Sequence, residues 1–274
     1  MKSMFHKSAC VGTDSLMHIR IISFDHKSSL VGRFQALFPT ADVRIQPAID
    51  VRATSESTLL RGGIIGHTVA HTLRFGRKWH HEFPRKGAVG LAHANRLALE
   101  EAPEEPLLLV EDDCSVVQPR VLVETVSRLL SRATTFDMAV FGMRYRGDPG
   151  NKVPASWAGD DWYEIRDNFW FLHLVLYTPA GRRNCAEILR KPLEMQIDSL
   201  YASYALYGGL RVMGHLATFP IALQLTLGSS CQRPCALCDR EDTDRDWPAA
   251  VWFVGCLAVF VASGVWIDRC RRKC

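Results

Sequence analysis

A helix, an apolar strand and a run of acidic residues follow one another directly in the middle of this chain. Residues 87–102 are rich in alanine and leucine and favour a helix, which the prolines that follow bring to an end. Residues 107–110 form a short uninterrupted apolar run, which is typical of a strand covered on both faces. Pro119 then begins a second amphipathic helix, and residues 136–143 are the next predicted strand. This succession predicts an α/β domain built on a largely buried sheet.

The flanking segments supply further predicted elements. Strands are expected at residues 18–25, 42–50 and 169–178, helices at 28–38, 179 onward and 200–206, and short extended pieces at 211–213 and 220–225. Thr178 is the predicted cap of the helix that Pro179 begins. Residues 51–86 have no sustained period, so we expect a long loop with one helical turn.

Composition narrows the class of protein. Hydrophobic residues make up 47% of the 274 residues and charged residues 23%, which are ordinary globular values that argue against disorder. The formal net charge is only +4, and no basic stripe with interleaved aromatic residues is present. A nucleic-acid partner is therefore not expected.

A single uncharged segment near the end of the chain predicts a membrane anchor. Residues 248–267 contain no charged side chain, and as a helix at about 1.5 Å per residue they match a hydrocarbon core of roughly 30 Å. Trp247, Trp252 and Trp266 lie near its ends, where indole rings favour the headgroup zone. A buried core helix is the alternative interpretation.

The side of the membrane on which the domain lies stays open. The first residues lack the apolar region of a signal peptide, which favours a C-terminal tail anchor with a cytosolic domain. The basic residues after the span favour a cytosolic tail instead. We therefore expect a single-pass protein of an endomembrane, in contact with membrane lipid.

Six of the nine cysteines lie after residue 230, and one of them, Cys256, is inside the uncharged segment. Cys231, Cys235 and Cys238 have spacing compatible with zinc, but palmitoylation or unpaired thiols explain them equally well. We expect five parts: an N-terminal extension (1–17), a globular domain (18–230), a cysteine-rich acidic linker (231–247), the span (248–267) and a basic tail (268–274).

The acidic run Glu111, Asp112 and Asp113 is the strongest functional signal. It follows a buried strand directly, and ligands of open α/β sheets gather at the carboxyl ends of strands. Side chains alternate along an extended chain, so Glu111 and Asp113 should face the same side. Two such carboxylates can share Mn²⁺ or Mg²⁺ as oxygen ligands. The alternative is a solvated acidic loop.

The same region resembles glycosyltransferase family 25, which includes lipo-oligosaccharide and collagen galactosyltransferases. Gly87, Gly90 and His93, then the helix, the apolar strand and Glu111-Asp112-Asp113, are similar to the family's Gly-Glu-x-Gly-Cys-x-x-Ser-His, helix, strand and Glu-Asp-Asp pattern. Weaker similarity covers residues 21–25, 33–34, 47–50, 173–181, 197–198 and 219–229, so the resemblance extends over residues 18–230.

The resemblance implies a GT-A-like, Rossmann-type mixed sheet flanked by helices and an inverting, metal-dependent hexosyltransferase. The donor would be a UDP-sugar, by expectation UDP-galactose, and the acceptor a hydroxyl of a glycan, glycolipid or glycoprotein. Glu111 and Asp113 would bind the metal. Asp198 would take the acceptor proton, with Asp161 as the second candidate. The nucleotide or donor sugar would contact these residues: Arg33, Asp50, His93 and Asp112.

Each of these assignments has a structural alternative. Asp198 can instead cap the helix that follows it, and His93 can be a helix residue packed under the sheet. Arg33 and Asp50 can form a surface ion pair.

The chain departs from the family pattern at Ala88, Leu91 and Ala92, where the family has Glu, Cys and Ser. Those departures motivate a second hypothesis, a catalytically inactive relative that acts as a membrane-tethered binding or scaffold module. A different phosphoryl-transfer enzyme is a third hypothesis, but no phosphate-binding glycine motif supports it.

Cys270 and Cys274 lie beside basic residues and are candidate palmitoylation sites. We predict that metabolic labelling with a palmitate analogue marks the protein. A protein that carries no label would contradict this prediction.

Overall fold

The computed structural model describes residues 17–225, apart from positions 27, 77, 78, 80 and 146. Its helices are α1 (Leu30–Leu37), α2 (Glu56–Arg61), α3 (His67–Phe75), α4 (Lys86–Glu100), α5 (Pro119–Leu130), α6 (Pro179–Arg190) and α7 (Ile197–Leu206). Its strands are β1 (His18–Ser23), β2 (Asp42–Pro47), β3 (Leu107–Glu111), β4 (Cys114–Val116), β5 (Met138–Val140), β6 (Arg144–Tyr145), β7 (Lys152–Pro154), β8 (Trp162–Ile165), β9 (Phe169–Trp170), β10 (Leu174–Tyr177), β11 (Val212–His215) and β12 (Ala222–Gln224).

Eight of these strands form one mixed sheet in the order β2-β1-β3-β10-β5-β11-β8-β7. Strands β1, β2 and β3 are parallel, and β10 lies antiparallel between β3 and β5. Strand β11 is parallel to β5, so the carboxyl ends of β1, β2, β3, β5 and β11 all meet at one edge of the sheet. The predicted α/β class with a mixed central sheet is confirmed in the described part of the chain.

The sheet separates two hydrophobic cores because its buried strands are apolar on both faces. One core contains Leu107 and Leu109 of β3 and packs under α4, α6 and α7. The other contains Leu108 and Val110 of the same strand and packs under α1 and α5. Side chains alternate strictly along β3, so Glu111, the last residue of the strand, lies on the same face as Leu107 and Leu109.

Helix α4 packs very closely on the chain that leaves β2. A Cβ atom added to Gly90 would lie 2.0 Å from the carbonyl oxygen of Ile49, so only glycine fits there. Ala88 and Ala92, on either side of it, are buried in the same core. Small side chains on this helix face therefore set the distance between α4 and the sheet.

A buried arginine fixes the end of α4. Arg182 of α6 is fully buried and donates hydrogen bonds to the carbonyl oxygens of Ala98, Leu99 and Glu105 at 2.9 to 3.1 Å. The last carbonyls of a helix have no partner within it, so the guanidinium satisfies groups that would otherwise be buried without one. Burial and the nearby charge of Arg20 lower the pKa of Arg182 to about 10, which leaves it charged at neutral pH.

Two predictions about secondary structure were wrong. Residues 51–86 contain two helices, α2 and α3, where the sequence predicted a long loop with one helical turn. Helix α2 begins at an N-cap, Ser55, whose Oγ accepts a hydrogen bond from the backbone N–H of Thr58, and α3 lies between Gly66 and Gly76. Residues 169–178 are two short strands rather than one, and Phe171 between them has a φ of 75°.

Several predicted features lie outside the described residues. These are the span at 248–267, the linker cysteines and the basic tail. Across the portion of the chain that is described, no helix has the length and apolar character needed to cross a bilayer.

We predict that Gly90→Ala lowers the free energy of unfolding by about 2 kcal/mol or more, because the added methyl group overpacks against a backbone carbonyl. The matched control is Gly32→Ala in α1, where a Cβ atom would meet nothing within 4 Å. That variant should be unchanged or stabilised by up to ~1 kcal/mol. Chemical denaturation of both variants checks the difference, and equal stabilities would contradict the close packing.

Candidate active site

Glu111 and Asp113 form an acidic pair at the carboxyl end of β3. Glu111 is the last residue of the strand, and Asp113 follows two positions later. The side-chain amide of Gln224 donates to Glu111 Oε2 at 3.3 Å and to Asp113 Oδ2 at 3.1 Å, so both carboxylates reach the same nitrogen. The prediction that these two side chains face one side is confirmed.

Asp112 points away from the pair toward β1. Its Oδ2 accepts a hydrogen bond from the hydroxyl of Ser23 at 2.8 Å, and the same Ser23 Oγ accepts from the backbone N–H of Asp25. Ser23 is the last residue of β1. Asp112 therefore ties the acidic turn to the end of the neighbouring strand, and its side chain is otherwise exposed.

The acidic pair is electrostatically unfavourable without a cation. Burial raises the pKa of Glu111 to about 8, and the charges of Asp113, Asp198 and Asp112 act in the same direction. Burial also raises the pKa of Asp113, with the Gln224 hydrogen bond opposing it. Desolvation and like charges both disfavour the ionised form, and the attraction of a bound cation would offset both.

One oxygen of the pair is buried without a partner. Asp113 Oδ1 has no hydrogen-bond partner and almost no contact with solvent. An unpaired buried carboxylate oxygen costs free energy, and such atoms are common where an ion belongs. The orphaned oxygen, the adjacent carboxylate and the excess of negative charge all fit a divalent cation.

The protein itself would supply few of the ligands. Within the described part of the chain, no group of three or more His, Cys, Asp or Glu side chains is arranged to hold a metal ion. Mg²⁺ commonly binds through one or two carboxylates, with waters and substrate phosphates completing its shell. The acidic pair matches that kind of site rather than a closed structural one.

Asp198 lies within electrostatic range of the acidic pair. It belongs to the first turn of α7, and its charge contributes to the raised pKa of Glu111. The N-cap of α7 is Gln196, so the alternative prediction that Asp198 caps this helix is wrong. Its Oδ1 accepts a hydrogen bond from the backbone N–H of Ser199 at 2.8 Å. Asp198 is thus the sequence-predicted catalytic residue whose charge acts on Glu111.

Sequence reasoning missed Gln224, which lies more than a hundred residues away from the acidic pair along the chain. Strand β12 pairs antiparallel with β4 and places Gln224 opposite Cys114. Gly142 allows this approach, because it has a φ of 77° and an added Cβ atom would lie 2.1 Å from the carbonyl oxygen of Ala222. No local signal in the sequence marks Gln224, since a single glutamine in a short extended segment is not distinctive.

The other predicted binding residues do not join the pair. His93 lies in the middle of α4, and its Nε2 is 2.7 Å from a guanidinium nitrogen of Arg96. Burial lowers the pKa of His93, followed by the charge of Arg96. Arg33 is exposed on α1. The position of His93 agrees with the alternative given for it, a helix residue packed under the sheet.

Asp50 is paired with Arg52 and not with Arg33, so the predicted Arg33–Asp50 ion pair is wrong. The carboxylate accepts two hydrogen bonds from the guanidinium at 2.8 and 2.6 Å, which lower the pKa of Asp50 to about 2. The guanidinium also lies 5.7 Å from the ring centroid of Phe24, which is 52% exposed. Phe24, Asp50 and Arg52 follow β1 and β2 at the same edge as the acidic pair.

Asp161 lies apart from the acidic pair on the other face of the sheet. It lines a cavity together with Glu124 and Arg128 of α5, whereas Glu111 follows Leu107 and Leu109 toward the core under α4 and α7. Asp161 also acts electrostatically on His215, which lines the same cavity. The structure therefore does not bring the two predicted catalytic carboxylates together.

No family model and no curated protein matches this chain. Among solved structures, a UDP-glucose pyrophosphorylase complexed with UDP-glucose matches with a TM-score of 0.40 at 14% identity, over 73% of this chain and 90% of that one. The UTP-bound enzyme from Acinetobacter baumannii has a TM-score of 0.40 at 11% identity, over 84% and 99%. A glucose-1-phosphate thymidylyltransferase from Bacillus anthracis has 0.39 at 13% identity, over 76% and 89%. Similarity at this level assigns neither an activity nor a site to the chain.

We predict that Glu111→Gln changes how the stability of the metal-free protein depends on pH. Between pH 4.5 and about 8 the folded protein holds a proton on Glu111 that the unfolded chain releases. The free energy of unfolding therefore falls as pH rises through this window, by at most about 1.4 kcal/mol per pH unit from this group. Glutamine removes that contribution, so the variant should be the more stable protein at pH 8.

Denaturation with a chelator present, at several pH values, measures this effect. Glu164→Gln is the matched control, because that carboxylate pairs with Arg166 on the surface. Parallel pH profiles for wild type and Glu111→Gln would contradict the buried, protonated state of Glu111.

Proposed function

We propose that the protein is a membrane-anchored, metal-dependent hexosyltransferase that moves a hexose from a UDP-sugar to an acceptor hydroxyl. The observation that carries the proposal is the acidic pair, whose orphaned Asp113 Oδ1 and raised Glu111 pKa leave a site that a divalent cation would satisfy. The resemblance to glycosyltransferase family 25 supports the reaction class. The membrane anchor and the galactosyl donor stay predictions from the sequence.

Glu111 and Asp113 would hold Mn²⁺ or Mg²⁺. The metal, when bound, would neutralise the charge that develops on the departing diphosphate. Gln224 would orient the two carboxylates, because its amide already donates to one oxygen of each. Ser23 would keep Asp112 on the opposite side, so that a third carboxylate does not add its full charge to the pair.

Asp198 would accept the proton of the acceptor hydroxyl. A general base has to be ionised and within reach of the attacking oxygen, and a half-buried carboxylate close to the acidic pair meets the positional requirement. The backbone N–H of Ser199 stabilises its charged form through a hydrogen bond to Oδ1. The family resemblance implies inversion, which requires the hydroxyl to attack the anomeric carbon on the face opposite the departing diphosphate.

Phe24, Asp50 and Arg52 offer a place for the nucleoside. The ring of Phe24 is exposed at the carboxyl end of β1, and the Asp50 carboxylate is held beside it by Arg52. An aromatic face can stack on a base, and a carboxylate can accept hydrogen bonds from ribose hydroxyls. Arg52, which the sequence did not single out, would fix both groups.

The departures from the family pattern fall in the core. Ala88 and Ala92 are buried in the cluster under the sheet, and Leu91 packs against it. Alanine and leucine are therefore explained at these positions by helix packing, while Glu111, Asp113 and Asp198 remain in place. This distribution favours an enzyme over an inactive relative.

We predict that UDP raises the melting temperature of the wild-type protein only when Mn²⁺ is present, because ligand binding to the folded state stabilises it. At a UDP concentration a hundred times the dissociation constant, the stabilisation is about 2.7 kcal/mol. Asp113→Asn should lose the shift, and Glu164→Gln should keep it. A wild-type protein that neither binds UDP nor responds to Mn²⁺ would refute the proposal.

Asp198→Asn separates the enzyme from a binding module. We predict that this variant keeps the Mn²⁺-dependent UDP shift and loses transfer from UDP-galactose by at least about 100-fold, as expected for a missing general base. Transfer is measured as UDP release over a panel of saccharide and glycopeptide acceptors. UDP binding by wild type without release on any acceptor would identify the inactive relative instead.

A further inference from the structure

A cavity lies at the same edge of the sheet as the acidic pair but on the opposite face. It has a volume of about 610 Å³ and is enclosed by α5, the start of β8 and the segment that follows β11. Natural small-molecule sites have volumes of roughly 300 to 1,000 Å³. The cavity is therefore large enough for a ligand of more than one sugar ring.

The inner wall of the cavity carries a buried polar group without a partner. His215, the last residue of β11, is 6% exposed, and its Nδ1 has no hydrogen-bond partner. The alternation along β11 puts His215 on the α5 face, because Met213 packs in that core. The Trp162 ring lies 5.3 Å from the imidazole centroid and fixes its position. His215 lines the cavity, so a ligand there meets a buried imidazole that has an unused hydrogen-bonding nitrogen.

The rim adds acceptors and one cation. Glu124, Asp160 and Asp161 line the cavity and are exposed. Arg128, one turn after Glu124 on α5, also lines it and donates a hydrogen bond from one guanidinium nitrogen to the carbonyl oxygen of Ala158. Phe219 is 78% exposed and supplies an aromatic surface to the same cavity. Anchored polar groups with an open aromatic ring are a usual arrangement of a specific small-molecule site.

The charges and hydrogen-bonding groups select the class of ligand. Three carboxylates against one guanidinium disfavour an anion such as a diphosphate. Burial lowers the pKa of His215, with Asp161 acting in the opposite direction, and a neutral imidazole both donates and accepts. Arg128 donates and the carboxylates only accept, so the best complement is a group that can do both, which is a hydroxyl.

The cavity is distinct from the acidic pair but is built on the same segment. Phe219 and Ile221 line the cavity, and Gln224, three residues after Ile221, contacts Glu111 and Asp113. Gln118 of the loop before α5 holds this segment through hydrogen bonds to the carbonyl oxygens of Phe219 and Pro220. One short segment therefore forms a wall of both sites.

We propose that this cavity is a binding site for a neutral, hydroxyl-rich ligand, namely a saccharide, held by His215 at the inner wall and by Asp161 and Glu124 at the rim. The site is separate from the acidic pair, so its existence does not depend on the proposed transferase activity. It gives Asp161 a role in ligand binding.

The test is a titration of the full-length protein, in a detergent that contains no sugar, with lactose and with maltose, followed by ligand-observed NMR. Wild type should bind at least one of the disaccharides saturably. Asp161→Asn and His215→Phe should each weaken binding about 5- to 30-fold, the usual effect of removing one hydrogen bond to a charged or buried group. Asn tolerates the φ of 61° at position 161, so this variant should fold.

The controls separate this proposal from the preceding one. Glu164→Gln and Asp113→Asn should bind the disaccharide as wild type does, and Asp113→Asn should at the same time lose the Mn²⁺-dependent UDP shift. Disaccharide affinity that is unchanged in both Asp161→Asn and His215→Phe would overturn the saccharide site. So would the absence of saturable binding, loss of binding in Asp113→Asn, or tighter binding of methylamine or pyrophosphate than of either disaccharide.

Discussion

The buried guanidinium of Arg182 is the interaction on which the arrangement of this domain depends. It binds the last carbonyls of α4 and the carbonyl of Glu105, two residues before β3 begins, so it fixes both the end of the helix and the entry of the strand. Arg20 of β1 forms ion pairs in the same region, with Glu101 just after α4 and with Asp42 at the start of β2. Breaking such a buried network is strongly costly, because it leaves charges and carbonyls without partners. The position of Glu111 at the far end of β3 follows from this anchoring.

The two ends of β3 contrast in their electrostatics. At the start, Arg20 pairs with two carboxylates and Arg182 is satisfied by carbonyl oxygens. At the end, Glu111, Asp113 and Asp198 concentrate like charge, and one carboxylate oxygen has no partner. Such an electrostatic penalty persists only when the surrounding structure enforces it, and penalties of this kind are concentrated at functional sites. The anchoring of the start of β3 thus permits an electrostatically unfavourable site at its end. A bound cation would reduce the repulsion between the carboxylates there.

Features that depend on residues near one another in the sequence could be predicted, whereas features that depend on contacts between distant segments could not. Strand β3, helix α4 and the helix that Pro179 begins followed from apolar periodicity and capping residues, because these signals are local in the sequence. The shared orientation of Glu111 and Asp113 followed from the two-residue repeat of a strand. Helices α2 and α3 were missed because their signals, Ser55 and the bounding glycines, are short and their apolar faces are narrow. Gln224, Arg52 and the cavity around His215 could not be predicted, because each depends on contacts between distant segments.

The sequence by itself determined that a mixed α/β domain presents a pair of carboxylates at the end of a buried strand, since alternation and burial follow from local side-chain pattern. Only the tertiary structure decided which other groups meet that pair. The insertion of antiparallel β10 beside β3, the approach of β12 over Gly142 and the start of α7 bring Gln224 and Asp198 to the acidic pair. The same topology places His215 on the opposite face, because it lies two residues after Met213 along β11, and it brings Asp161, just before β8, to the same cavity.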